Sequence, residues 1–106
     1  MQANIKPIIE EFKVRVQKLY GKRLKNIILY GSWARGMAKE HSDIDLVVIL
    51  EGMVRPGKEI DRMIDIITDL QLKYNALISV YPVSEKKYMT VKSPLLLNIH
   101  REGIPA

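Results

Sequence analysis

Two aspartates one residue apart, Asp43 and Asp45, stand at the start of the strongly apolar segment SDIDLVVIL, residues 42–50. Side chains alternate along a strand, so both carboxylates would point to the same face, with Cβ atoms roughly 6.6 Å apart. Like charges at this spacing repel, raise each other's pKa and are costly to bury. Bound cations remove these costs, and two Mg²⁺ ions about 3.5–4 Å apart are the usual arrangement for phosphoryl chemistry. Asp43 and Asp45 are therefore predicted ligands of a two-metal site.

A second group of residues, twelve positions earlier, is suited to binding phosphate. Gly31 and Ser32 follow an apolar run and precede a turn. Glycine lets the backbone approach an anion closely, and the N–H groups of the turn and the serine hydroxyl can hold phosphate oxygens. Arg35 can add a bidentate phosphate contact, and Ser42 one more hydroxyl. Together with the aspartates, these residues predict a site for a nucleoside triphosphate with Mg²⁺.

The elements that must position these residues follow from hydrophobic periodicity and capping signals. A helical spacing of apolar residues recurs in several segments, and runs of β-branched residues lie between them. The predicted strands are 24–30, 44–50 and 76–83, and the predicted helices are 4–20, 58–74, a short one from Glu85, and 94–102 after Ser93 with Gly103 as C-cap. Residues 33–41 are predicted to form a short helical turn and a loop, with Trp33 packed in the core or at an interface rather than stacked on a base. This alternation predicts an α/β or α+β fold, a small mixed β-sheet flanked by helices.

The joint motif GSWARGMAKEHSDID, with Gly-Ser, ten residues and then Asp-x-Asp, resembles the signature of the DNA polymerase β-like nucleotidyltransferase superfamily. The form GSxARG…SDIDLVV resembles its minimal nucleotidyltransferase (MNT) branch, which includes antitoxins encoded beside a HEPN-domain partner. The likeness is strong over residues 25–50 and looser elsewhere. It implies the polymerase β-like fold, with Gly31 and Ser32 on the triphosphate and Asp43 and Asp45 on the catalytic metals. It also implies further nucleotide contacts from Arg35 and Ser42.

The same resemblance implies a reaction and a partner. An acceptor hydroxyl would attack the α-phosphorus of ATP or another nucleoside triphosphate, NMP would be transferred, and pyrophosphate would leave. For an antitoxin of this branch, the implied acceptor is a tyrosine hydroxyl of a HEPN-type toxin. A chain of 106 residues has little surface left for holding an acceptor, so a partner macromolecule that brings its own binding surface fits this expectation.

One departure from the family pattern concerns the third carboxylate that active members usually carry on the strand beside Asp-x-Asp. The matching segment, ALISVYPV at residues 76–83, contains no Asp or Glu, and Ser79 is its nearest polar residue. Glu85 and Asp69 are the substitutes outside it. Loss of a positioned base costs about 10²–10⁴-fold in rate. Three alternatives stay open: slow transfer with a base from the partner, nucleotide binding without turnover, and a binding module that neutralises its partner by complex formation.

The composition sets the remaining bounds. A length of 106 residues predicts one domain over 1–106, and the absence of cysteine excludes disulfides and thiolate metal sites and favours a cytoplasmic protein. We expect no membrane association, since no apolar run is long enough to span a bilayer. The net charge is +5, with the excess near both ends of the chain. Nucleic acid is a possible but weaker partner, because a solvated basic face on the first helix explains the same charge.

Overall fold

A four-stranded mixed sheet with helices on both faces forms the centre of the computed structural model, which describes residues 5–39 and 41–106. The predicted helix start at residue 4 lies outside these residues. The elements in chain order are α1 (Lys6–Tyr20), a 3-10 turn (Gly21–Arg23), β1 (Leu24–Tyr30), α2 (Gly31–Ala34), β2 (Ile44–Leu50), α3 (Pro56–Tyr74), β3 (Ile78–Ser84), α4 (Glu85–Thr90), α5 (Pro94–Glu102) and β4 (Ile104–Pro105). The predicted fold class, a small mixed sheet flanked by helices, is confirmed.

The strands are ordered β3-β2-β1-β4, which makes β2 a central strand. It pairs antiparallel with β1, Tyr30 opposite Asp45, and parallel with β3, Asp45 opposite Ser79. Every residue of β2 except Asp45 is buried, as expected for a strand covered on both faces. Strand β3 lies at one edge of the sheet, and this edge position explains how the strand accommodates Pro82.

The larger core lies between the sheet and the helices α1 and α3. One face of the sheet contributes the alternate apolar residues of β1 and β2, and the two helices contribute their apolar stripes. Its fully buried large side chains include Phe12, Leu29, Leu46, Met63 and Leu70. Because α3 starts at Pro56, two residues before the predicted start, its proline occupies the first turn, where a missing N–H costs nothing.

The opposite face of the sheet carries a smaller core under α4 and α5. Val47 and Ile49 of β2 meet Leu96 and Ile99 of α5 there. Serine caps begin both helices as predicted: the Ser84 and Ser93 hydroxyls accept hydrogen bonds from the backbone N–H groups three residues later, at 3.1 and 3.2 Å.

Gly103 ends α5, as predicted, but it does not form a left-handed C-cap. Its backbone is extended, with φ −65° and ψ 145°. A Cβ at this position would lie 2.5 Å from both the Ile28 side chain and the Ile99 carbonyl oxygen. Glycine therefore allows the end of α5 to pack directly on β1, and the short strand β4 follows at once. Within residues 5–39 and 41–106, no helix has the length and apolar character needed to cross a membrane.

Candidate nucleotide and metal site

The single helical turn α2, which follows β1 directly, brings the backbone of Gly31 against the side chain of Asp45. Gly31 has φ +73°, a conformation that side-chain-bearing residues rarely adopt. A Cβ built there would overlap the Asp45 carboxylate, lying only 3.2 Å from its Cγ atom. The glycine is thus required both by the backbone conformation and by the close approach. Ser32 follows it inside α2, so this turn and the acidic pair lie at the same end of the sheet, where β1 ends and β2 begins.

Asp45 lies on the sheet face that carries α4 and α5, and strand alternation continues this face to the exposed Asp43. Burial raises the pKa of the half-buried Asp45 carboxyl, the Asp43 charge raises it further, and the Arg35 charge opposes both effects. No hydrogen bond within residues 5–39 and 41–106 involves either carboxylate. The two aspartates therefore present hard oxygen ligands with their lone pairs available, a donor set that suits a divalent cation.

The residues around the acidic pair do not complete a three-carboxylate site. In the parallel register Ser79 lies opposite Asp45, at the position where the sequence resemblance expects a carboxylate. Glu85 lies six residues further along, about 20 Å away at strand spacing, and Asp69 is on α3, paired with Arg15 at 3.0 Å. No group of three or more His, Cys, Asp or Glu suited to a metal ion occurs in the described part of the chain. A bound ion would thus need other oxygens, such as water or substrate phosphate, to fill its shell.

Arg35 lies directly after α2 and forms an ion pair that the sequence did not predict. Its Nη1 atom donates to Oε2 of Glu102, the last residue of α5, at 3.0 Å. The guanidinium is also near enough to Asp45 to lower the pKa of that carboxyl. Arg35 therefore interacts with both Asp45 and α5, and it keeps further N–H donors for a ligand.

Ser42 has a structural role in the loop that leads to Asp43. Its hydroxyl accepts a hydrogen bond from the Lys39 backbone N–H at 2.8 Å, and its carbonyl oxygen accepts one from Trp33 Nε1 at 3.1 Å. Trp33 is only 7% exposed, which confirms the predicted core position. The Ser42 hydroxyl still has its own proton to donate, so a phosphate contact is compatible with this geometry.

Two tyrosines beside the acidic pair were not predicted to belong to the site. Tyr30 pairs with Asp45 across the sheet, and Tyr81 follows Ser79 by two residues on the same face. Burial raises the pKa of the Tyr30 hydroxyl, and Asp45 and Tyr81 raise it further. Strand alternation alone does not identify them, because their place beside Asp45 depends on the register of the three strands.

Comparison with known proteins identifies the class that this fold and site define. The family model for the nucleotidyltransferase domain matches residues 9–97. The chain therefore belongs to the nucleotidyltransferase domain family, and the resemblance inferred from the Gly-Ser and Asp-x-Asp motifs is confirmed.

Among its relatives is the Methanocaldococcus jannaschii protein named "Putative protein adenylyltransferase MJ0141". It is 35% identical over 97 residues, which cover 92% of this chain and 93% of that protein. Another protein of the same organism, named "Putative protein adenylyltransferase MJ0604", is 39% identical over 85 residues, covering 80% and 79% of the two chains. A crystal structure described as a toxin–antitoxin with AMP-PNP matches the fold with a TM-score of 0.63 and 16% identity, covering 91% of this chain and 70% of that one.

Proposed function

We propose that this protein is a Mg²⁺-dependent nucleotidyltransferase that transfers AMP from ATP to a hydroxyl of a partner protein. The observation that carries the proposal is the close approach of Gly31 to Asp45, which places a phosphate-binding turn against an acidic pair. The names of the relatives, which describe protein adenylyltransferases, support AMP as the transferred group and a protein as acceptor.

The residues of this site have distinct roles in the proposed reaction. Ser32 and the backbone N–H groups of the turn would bind the triphosphate, with Arg35 and Ser42 as further contacts. Asp43 and Asp45 would hold Mg²⁺, which, when bound, neutralises the charge that develops on the phosphates. The protein itself would contribute by holding the α-phosphorus in line with the incoming hydroxyl.

A second candidate function is nucleotide binding without turnover, in a subunit that neutralises its partner by forming a complex. The observation that favours it is Ser79 opposite Asp45, since a neutral serine does not act as a base at neutral pH. For both candidates we propose a HEPN-type toxin as the partner, as the resemblance to the MNT branch implies, and the name of the structural neighbour with AMP-PNP supports a toxin–antitoxin pairing. Nucleic acid remains the weaker alternative. The absence of cysteine supports a cytoplasmic location.

The test is transfer of label from α-³²P-ATP, with Mg²⁺, to the purified product of the adjacent gene. We expect labelled partner with the natural chain and none with Asp43→Asn or Asp45→Asn. The matched control is Asp65→Asn on the exposed face of α3, which removes one carboxylate far from the site and should transfer normally. Equal labelling by the Asp45→Asn variant would refute the transferase proposal.

The variant Ser79→Asp separates the two candidates. It places a third carboxylate opposite Asp45, and Ser79→Asn serves as its uncharged control. If the missing carboxylate limits a slow transferase, labelling should rise about tenfold or more with Ser79→Asp alone. Tight partner binding with no labelling by the natural chain, and with no gain from Ser79→Asp, would instead support the binding module.

A further inference from the structure

The contact between Arg35 and Glu102 joins the edge of the site to the end of a helix 67 residues away in the sequence. Arg35 is the residue proposed to reach back over the triphosphate. Its guanidinium lies at the end of a long, flexible side chain, and such a side chain loses considerable rotamer freedom when it binds a ligand. A neighbouring side chain that already holds the guanidinium in place would reduce this entropic cost of nucleotide binding.

The support for Glu102 is rigid. Leu96 and Ile99 are fully buried and fix α5 on the sheet, and Gly103 packs against Ile28 of β1. The Gly103 backbone N–H also donates to the Ile99 carbonyl at 2.7 Å, which closes the last turn of the helix. Glu102 therefore presents its carboxylate from a fixed point, and it is less exposed than its partner, 27% against 44% for the side chains.

Arg35 interacts with both Asp45 and α5. Its charge lowers the pKa of Asp45, and its guanidinium donates a hydrogen bond to Glu102 at 3.0 Å. A guanidinium has five N–H donors, and the ion pair uses one at Nη1. The donors that remain are enough for a bidentate phosphate contact.

We propose that Glu102 is a positioning residue for nucleotide binding: it holds the Arg35 guanidinium at the edge of the site in the orientation that receives the triphosphate. This inference rests on the proposed nucleotide-binding function of the Gly31–Asp45 site. Glu102 itself touches neither the nucleotide nor the reacting atoms, so its whole effect on affinity should pass through Arg35.

A double-mutant cycle on nucleotide affinity tests this inference without any need for turnover. Equilibrium binding of a fluorescent, non-hydrolysable ATP analogue with Mg²⁺ is measured for the natural chain, Glu102→Ala, Arg35→Ala and the double variant. We expect Glu102→Ala to weaken binding about three- to tenfold, the cost of ordering one long side chain on binding. The double variant should bind no more weakly than Arg35→Ala alone. Glu102→Gln, which keeps an acceptor for Arg35, should recover part of the loss.

The control is Glu85→Ala, which removes an exposed carboxylate from the start of α4 and leaves the Arg35 ion pair intact. Urea unfolding of each variant reports whether a loss of affinity comes from a loss of fold. Additive effects of the two single variants, or tighter binding by Glu102→Ala, would overturn the positioning role while the nucleotide site stands. Absence of binding by the natural chain would overturn the site and the positioning role together.

Discussion

Replacing Asp45 by asparagine should stabilise the ligand-free protein. Burial and the Asp43 charge disfavour the ionised Asp45 carboxyl more than the Arg35 charge favours it. The half-buried carboxyl has a raised pKa, caused by burial first and by Asp43 second, with Arg35 opposing them. With Cβ atoms roughly 6.6 Å apart, the repulsion between the two charges is about 0.6 kcal/mol in water and about 2.5 kcal/mol at an effective dielectric of 20. Since Asp43 is exposed, we expect a gain nearer the lower value, about 1 kcal/mol at neutral pH.

The pH dependence of this gain follows from the direction of the pKa shift. The folded-state pKa of Asp45 lies above its ordinary value of 3.8, so the folded protein binds more protons than the unfolded chain between the two values. Its stability therefore falls as the pH rises through this window, and the penalty is complete above the raised pKa. Asp45→Asn should thus match the natural protein near pH 3 and exceed it at pH 7.

Thermal unfolding at pH 3, 5 and 7, without divalent ions, measures the difference. A gain of about 1 kcal/mol corresponds to a rise in Tm of about 4–8 °C for a domain of this size, and it should shrink in high salt. Added Mg²⁺ with ATP should stabilise the natural protein and leave Asp45→Asn unchanged. The control Asp65→Asn should show no change. If Asp45→Asn is less stable than the natural protein at pH 7 without ligands, the reasoning is wrong.

Three further substitutions test interactions that stabilise the site and the rest of the fold. Gly31→Ala should cost about 2 kcal/mol or more in urea unfolding, because it strains a positive φ and crowds Asp45; an unchanged midpoint would contradict the close approach. Glu59→Ala should cost about 2–4 kcal/mol by the same measurement, since Glu59 is 4% exposed and accepts a hydrogen bond from the Tyr20 hydroxyl at 2.9 Å. Gly103→Ala should lower the Tm by several degrees through its contact with β1, and a stable variant would show that α5 has room to shift.

Local patterns were sufficient to predict the strands that hold the site. Residues 24–30 and 44–50 form strands with the predicted bounds, because consecutive β-branched and apolar residues are bounded by clear turn signals. The third strand begins at Ile78, later than predicted, because Asn75 takes a left-handed conformation at the end of α3 and residues 76 and 77 complete the turn. The strand β4 was missed, since two residues are too short to carry a pattern.

The parts of the site that depend on distant contacts could not be predicted from local patterns. The Arg35–Glu102 pair joins the residue after α2 to the last residue of α5, and no spacing rule connects them. The position of Tyr30 and Tyr81 beside Asp45 needs the sheet register, which the sequence does not provide before the strand order is known. Ser42 was predicted as a nucleotide contact from its place in the motif, whereas its hydrogen bonds show that it also shapes the loop.

The physical case for a binding site here is that a poorly compensated charge and a close backbone approach meet at one end of the sheet. Asp45 is half-buried beside a like charge without a hydrogen bond in the described residues, and the left-handed Gly31 brings its backbone against this carboxylate. Burial of this charge and its repulsion by Asp43 cost folding free energy, and within the described residues the Arg35 charge opposes them. Such conflicts between local rules and the fold are typical of functional sites, where a ligand supplies the missing partner. A cation between the carboxylates, and phosphate oxygens at the turn and at Arg35, would relieve them together, so stability and nucleotide binding should change in opposite directions when Asp45 is neutralised.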